Sequence, residues 1–330
     1  MFAVLVLFAG LFTIGGLAPA TAQAGEATEL LPVSSDGSEL DTKTLDLLEE
    51  LSATTESSGS AVAPGTAPVA SPYDTGAFFE TETGPVASGG EFGTQTVIGN
   101  DDRSRTTPTT WWPASATVQM TMLNNSGQRI FFCTGFMIGP DTMATAGHCV
   151  NNADFGGWIT GRDFIAYPGR DGTSSPYGGC RAVSFHSNTF WTVNRNREYD
   201  FGAVKLDCEV GNSTGTFGYR WQSASYDGTG VVTRGYPGDK PNGEQWVAYD
   251  QIRYSHTRVL WHLADNVPGN SGDPLYAYRD DCGGPCALAV DTHGCPNQSC
   301  NNNNPPYTSH NSGTRITQEV FNFFQAWENL

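Results

Sequence analysis

The sequence predicts an all-β barrel or sandwich closed by one C-terminal helix. Three observations carry that expectation. Short β-type runs recur from Thr96 onward, separated by clusters of Gly, Asn, Asp and Pro. The 330 residues include 39 Gly and 12% aromatics but only 15% charged residues, a balance that fits an extracellular β-rich fold better than a helical bundle. All eight Trp and all eight Cys lie after position 96, so the core belongs to residues 97–330. The length is enough for one large all-β domain or two smaller ones.

From the N-terminus, Phe2 to Leu17 is apolar and ends in small residues. Ala20-Thr21-Ala22 and Ala22-Gln23-Ala24 both have the small-x-small form of a cleavage site. The run is short for a membrane span. Residues 1–24 therefore read as a signal peptide, with a short uncleaved anchor as the rival. The expected localisation is secreted and extracellular, without membrane association once the signal is removed, and paired cysteines suit it.

Residues 25–96 hold 13 Asp and Glu against one base, Lys43. They carry much of the net charge of −17, which argues against a nucleic-acid partner. Their composition predicts little order. The exception is Glu39 to Ser52, where Leu40, Leu47, Leu48 and Leu51 fall near one helical face. The position behind a signal peptide makes this segment a propeptide; a plain linker is the alternative.

Strand-like runs follow at Thr117–Met122, Ile130–Ile138, Phe201–Leu206, Gly230–Gly235, Trp246–Ile252, Arg258–Leu263 and Cys286–Val290. A helix is predicted over 317–329. Thr317 can cap it, and Val320, Phe321, Phe324 and Trp327 lie at helical spacing.

Three segments carry chemistry. Thr145-Ala146-Gly147-His148-Cys149 offers an imidazole that is a metal ligand, a core residue or a base. Tyr199-Asp200-Phe201-Gly202 places an acid at the mouth of an apolar strand. Pro268-Gly269-Asn270-Ser271-Gly272-Asp273 is a glycine-flanked loop exposing a hydroxyl. Alone each is weak, but together they supply a complete nucleophilic site. A Ser hydroxyl needs a base within hydrogen-bond reach. An imidazole supplies it, and a buried carboxylate fixes the imidazole's tautomer and stabilises its protonated form. The amides of Gly269 and Ser271 then hold the oxyanion. A neutral imidazole base predicts activity rising with pH through roughly 6–7.

The order His148, Asp200, Ser271 is that of chymotrypsin-type enzymes. From about Val97 to Trp327 the chain resembles the glutamyl endopeptidase family of chymotrypsin-fold, trypsin-like serine proteases. The likeness rests on VIGNDDRSR from Val97, CTGFMIGPDTMATAGHCV around His148, YDFGAVKL around Asp200 and GYPGDK at 235–240. GNSGDPLY around Ser271, CGGPCALAV at 282–290 and SGTRITQEVF at 312–321 complete it.

The resemblance implies two six-stranded antiparallel β-barrels, at about 97–208 and 209–316, with His148 and Asp200 from the first and Ser271 from the second. It implies a zymogen, with residues 25–96 as propeptide and a mature chain starting near Thr96 or Val97. The partners are protein or peptide substrates, and the enzyme is expected to be a monomer. No cofactor is implied. Calcium is possible in such a fold, but no acidic loop here demands it, and no two His share metal-ligand spacing.

Eight cysteines allow 105 full pairings, which sequence cannot choose among. The family pattern suggests Cys133–Cys149 and Cys282–Cys286. Cys295–Cys300 is then a local pair, leaving Cys180–Cys208.

In this family P1, the residue before the cut bond, is a glutamate read by a His on the strand after the nucleophile and a Thr five residues before the Ser. The new amino terminus, here Val97, can lie near that pocket. This chain has Asp291 where the His is expected and Asn266 where the Thr is expected. A carboxylate about 4–5 Å from a P1 carboxylate repels it by roughly 3–4 kcal/mol at an effective dielectric near 20. That favours P1 Arg or Lys, as in trypsin-like cleavage. Strand alternation gives the opposing reading. Asp291 and His293 share a face, so His293 reaches the pocket and Asp291 stabilises its protonated form. A third reading turns Asp291 to solvent. The rival from another class is a protease-fold binding protein without catalysis, which should lack one of the three residues. His186, His256, His262 and His310 read as surface or core residues, and Asn301–Asn304 with Pro305-Pro306 as an exposed loop.

Overall fold

The computed structural model describes residues 26–36, 42–55, 59–68, 97–124, 127–159, 163–294 and 310–330. The expected signal peptide, the expected Cys295–Cys300 pair and the expected Asn301–Pro306 loop lie outside the described residues.

The first sheet runs Cys180–Asn188, Gly202–Leu206, Thr142–Thr145, Arg129–Met137, Thr117–Leu123 and Asp163–Pro168. Asp163–Pro168 pairs back on Cys180–Asn188, with Cys180 opposite Ala166, so six strands close into a barrel. Thr117–Leu123 is buried at every position. Its alternate residues Val118, Met120 and Met122 belong to the main core cluster.

The second sheet orders Val259–His262, Asn311–Arg315, Gly284–Gly294, Pro274–Arg279, Gly230–Gly235 and Trp246–Gln251. Gly218–Gln222 joins it, parallel to Gly284–Gly294. Among the described residues its two ends do not pair with each other. The second unit is thus a half-barrel where the resemblance implied a closed one.

The strand at Asn311–Arg315 has no apolar side chain to announce it. It forms because it is hydrogen-bonded between Val259–His262 and Gly284–Gly294, with Thr314 opposite both Val259 and Val290. The C-terminal helix spans Gln318–Glu328, and the Thr317 hydroxyl accepts the Val320 N–H. Its Phe323, Phe324 and Trp327 pack around Phe201, the residue after Asp200.

Disulfides join Cys133 to Cys149, Cys180 to Cys208 and Cys282 to Cys286. The first ties the strand Arg129–Met137 to the turn that carries His148.

The acidic segment departs from the little order its composition predicts. Its helix spans Thr42–Thr55, three residues later than the sequence pattern suggested. Pro32–Ser34 and Ser60–Ala63 are strands, added antiparallel to Cys180–Asn188 and Gly218–Gln222. Composition misses them because their partners are edges supplied by the rest of the chain.

Candidate active site

His148 lies on a single turn of 3-10 helix, Gly147–Cys149, following the buried strand Thr142–Thr145. Asp200 ends the turn Arg197–Tyr199 and leads into Gly202–Leu206. These two strands pair, with Gly202 opposite Thr145, so the pairing fixes both residues at one end of the barrel. The Asp200 carboxylate is fully buried. One oxygen accepts the His148 backbone N–H at 2.8 Å, and the other lies 2.7 Å from His148 Nδ1. The second contact puts the imidazole proton on Nδ1 and leaves Nε2 as the basic nitrogen.

His293 Nε2 also lies 2.9 Å from that second oxygen, and its ring stacks on His148 at 5.8 Å between centroids. Burial alone would raise the Asp200 pKa. The His148 and His293 imidazoles outweigh it and hold the carboxyl well below the usual range. Burial pushes the His293 imidazole down in turn, against the pull of Asp200. Trp191 packs on the other side of His148, at 6.2 Å between ring centroids, and its indole N–H donates to the Asn151 carbonyl at 2.9 Å.

Ser271 sits in the turn before strand Pro274–Arg279, between two glycines with left-handed backbone. Gly269 has φ 106°, and a Cβ there would stand 2.4 Å from the Phe132 ring and 2.7 Å from the Tyr236 carbonyl. At Gly272, φ 89°, a Cβ would meet the Thr134 carbonyl at 2.2 Å. Only glycine meets both demands. The turn is fastened to the first barrel. Thr134 N–H donates to the Ser271 carbonyl at 2.9 Å, and Thr134 Oγ1 donates to the Gly269 carbonyl at 2.9 Å. Ser271 is buried to 4% exposure, and its carbonyl lies 3.5 Å from Cys149 Sγ, next in sequence to His148. The fold thus brings His148, Asp200 and the Ser271 turn to the seam between the two units.

The residues proposed for the P1 pocket are arranged otherwise than strand alternation suggests. The register slips between Asp291, opposite Gly313, and His293, opposite Ser312. That bulge at Thr292 breaks the alternation and turns His293 to Asp200, away from Asp291. Nor does Asp291 face solvent: it is fully buried, accepts a hydrogen bond from Asn266 Nδ2, and lies 3.0 Å from His262 Nε2. His262 is a core residue, one of the two roles the sequence left open for it, but its place beside Asp291 escaped the sequence reading. Asp265 also escaped it. This buried carboxylate accepts the Ile98 N–H at 2.6 Å and the Asp102 N–H at 3.1 Å, anchoring the segment that begins at Val97.

Asp273 is a third buried carboxyl here, close to Asn266 and Asp291. Burial, then the charge of Asp291, raise its pKa well above the ordinary value. The folded protein therefore holds a proton that the unfolded chain gives up near pH 4, and stability falls as pH rises from there toward the folded pKa. Asp273→Asn keeps the shape and removes the titration. Its melting temperature should exceed that of the parent by more at pH 8 than at pH 5, by about 2–4 °C for each kcal/mol. An equal difference at both pH values would show that Asp273 titrates normally.

Among the described residues two groups of ligand-type side chains come together, Cys133 with His148 and Cys149, and Cys180 with Asp207 and Cys208. Every cysteine in them is in a disulfide, so none offers a thiolate to a metal.

The comparisons agree with this architecture. The trypsin family model matches residues 103–311. A glutamyl endopeptidase of Bacillus licheniformis is 41% identical over 238 residues, covering 71% of this chain and 70% of that protein. A Bacillus subtilis protein named extracellular metalloprotease is 38% identical over 234 residues, with coverage of 71% and 70%. Among solved structures, a Glu endopeptidase in complex with MPD superposes with a TM-score of 0.59 at 23% identity, covering 71% of this chain and all of that one. The protease Anisep from Arthrobacter nicotinovorans gives a TM-score of 0.50 at 20% identity, covering 64% of this chain and 96% of that one. With its barrel, its half-barrel and its closing helix, the chain belongs to the trypsin family, as a serine endopeptidase of the glutamyl endopeptidase-like kind.

Proposed function

We propose that this protein is a secreted serine endopeptidase, made as a zymogen, that cuts peptide bonds through an acyl-enzyme. Ser271 Oγ attacks the scissile carbonyl, and His148 Nε2 takes its proton and later delivers it to the leaving amine. Asp200 orients His148 and stabilises the imidazolium, and the Gly269 and Ser271 amides hold the oxyanion. The reaction needs no cofactor. The observation that carries this reading is the buried Asp200 carboxylate, 2.7 Å from His148 Nδ1, at the seam where the Ser271 turn is fastened. Secretion is supported by the apolar N-terminus and by the name of the B. subtilis relative. Cutting near Val97 would sever the acidic segment from residues 97–330.

For P1 we favour Arg or Lys. Asp265, on the loop before the nucleophile, and Asp291, on the strand Gly284–Gly294 after it, are buried carboxyls. The imidazole of His293, which would serve an acidic P1, is engaged at Asp200. A second reading, an acidic P1, is favoured by the glutamyl endopeptidase that is 41% identical over 238 residues. Matched peptides with P1 Glu, Asp, Arg, Lys, Leu and Phe decide between them. The expected result is kcat/KM higher for Arg or Lys than for Glu by at least about 10²-fold, the equivalent of ~3 kcal/mol. Asp291→His should shift cleavage toward Glu. A preference for Glu in the unsubstituted enzyme would replace the basic reading by the acidic one.

A further inference from the structure

Residues 26–68 dock on both units of the protease at once. At the first barrel, Pro32–Ser34 pairs with Cys180–Asn188 in the register Pro32 to Asn188, Val33 to Ser187 and Ser34 to His186. Bonds on either side lengthen the contact. Leu31 N–H donates to Thr189 Oγ1 at 3.0 Å, and the Leu31 carbonyl accepts the Thr189 N–H at 2.9 Å. Ser35 N–H donates to the Phe185 carbonyl at 2.9 Å, and Ala27 exchanges two bonds with the Asn194 side chain at 2.7 and 2.8 Å.

At the half-barrel, Ser60–Ala63 pairs with Gly218–Gln222. Gly65 N–H then donates to the Cys282 carbonyl at 2.9 Å, and Thr66 and Thr216 exchange backbone bonds at 3.2 and 2.8 Å. Between these ends the helix Thr42–Thr55 lies against Gln318–Glu328. Leu30, Leu48, Ala61 and Ala63 all pack on the main core cluster.

We propose that residues 26–68 form a two-ended clip that stays on the enzyme after the chain is cut before Val97. Its binding surface is the outer edge of Cys180–Asn188, the outer edge of Gly218–Gln222 and the side of the C-terminal helix between them. None of the bonds described above runs through residues 69–96, so a cut there leaves them in place. Each bound end keeps the other at high effective concentration, so two short strands hold where one would dissociate. The clip also covers two sheet edges that would otherwise present open N–H and C=O groups to other chains. Its first strand bears on the active site, because its bonds fall on Thr189 and Asn194, either side of the Trp191 that packs against His148.

The test uses the full chain carrying Ser271→Ala, with the recognition sequence of an added protease in place of residues 91–96. The added protease makes the cut, so the outcome is independent of whether Ser271 is the nucleophile or Val97 the natural start. After cutting, gel filtration and mass spectrometry ask whether the released segment travels with residues 97–330. The expected result is one-to-one co-elution. Val33→Pro or Ala61→Pro, each placing a proline within one of the two paired strands, should raise the free fraction at least tenfold, and both together should separate the fragments. Separation of the unsubstituted fragments immediately on cutting overturns the proposal. Co-elution indifferent to both prolines overturns the two strands as its cause. If a proline chain does not fold, the unsubstituted chain still decides.

Discussion

Ser271→Ala should lower kcat for peptide hydrolysis by on the order of 10⁵–10⁶-fold, leaving only the residual rate that binding and oxyanion stabilisation provide. The melting temperature should change little. The bonds that hold the turn reach main-chain atoms, the Ser271 carbonyl from Thr134 N–H and the Gly269 carbonyl from Thr134 Oγ1, and both survive the substitution. The loss is therefore assigned to the hydroxyl rather than to a collapsed loop. A single-turnover assay on a P1-matched peptide ester, run beside a thermal melt, separates the two. Retained turnover would move the nucleophile elsewhere, and absence of turnover in the unsubstituted enzyme as well would return the chain to the reading of a protease-fold binding protein.

Asp200→Asn should cost about 10⁴-fold in kcat. The carboxylate accepts from both the His148 backbone N–H and its Nδ1–H. An amide can accept on one side only, and its NH₂ group then faces either the backbone N–H or the ring nitrogen. The ring must change tautomer or lose its anchor, and Nε2 ceases to be the base.

This substitution also carries a stability signature. The parent carboxyl has its pKa depressed in the fold. Its stabilising contribution is complete above the unfolded value near 4 and is lost as pH falls through the folded value. The variant should therefore be less stable than the parent at neutral pH, with the gap closing in acid below about pH 4. Denaturant melts at pH 7 and pH 3 measure it. A gap that is constant with pH would mean that Asp200 is not held ionised by its two imidazoles. His293→Ala should weaken the same effect, since His293 is the second imidazole at 2.9 Å from that oxygen.

Much of the fold is legible in the chain because three strands of the first barrel, Thr117–Leu123, Arg129–Met137 and Gly202–Leu206, are marked locally, whereas Thr142–Thr145, Asp163–Pro168 and Cys180–Asn188 escape the pattern. Thr117–Leu123 and Arg129–Met137 are dense in apolar and β-branched residues, and Gly230–Gly235 begins and ends where the pattern says. Other strands that were not legible take their stability from neighbours. Asn311–Arg315 is polar and lies between two strands. Pro32–Ser34 and Ser60–Ala63 borrow the edges of sheets more than a hundred residues away in sequence. Hydropathy cannot report a hydrogen bond supplied by a distant strand.

The site divides in the same way. The residues around His148, Asp200 and Ser271 announce themselves because the proposed acyl transfer needs a fixed set of residue types, and glycine is required beside Ser271 by backbone geometry alone. The surroundings do not. The side chain of Asp291 depends on one bulged residue, Thr292, and on which imidazole lies opposite it. Alternation predicted His293 beside it, but the structure puts His262 and Asn266 there and sends His293 to Asp200.

The sequence by itself determined the all-β class, the closing helix and, through its resemblance to known motifs, the family. The first two follow from local pattern. Only the tertiary structure decided which carboxyls are buried, which imidazole meets which acid, and where the acidic segment docks. Those depend on register and burial, and a slip of one residue in a strand exchanges the face on which a side chain lies.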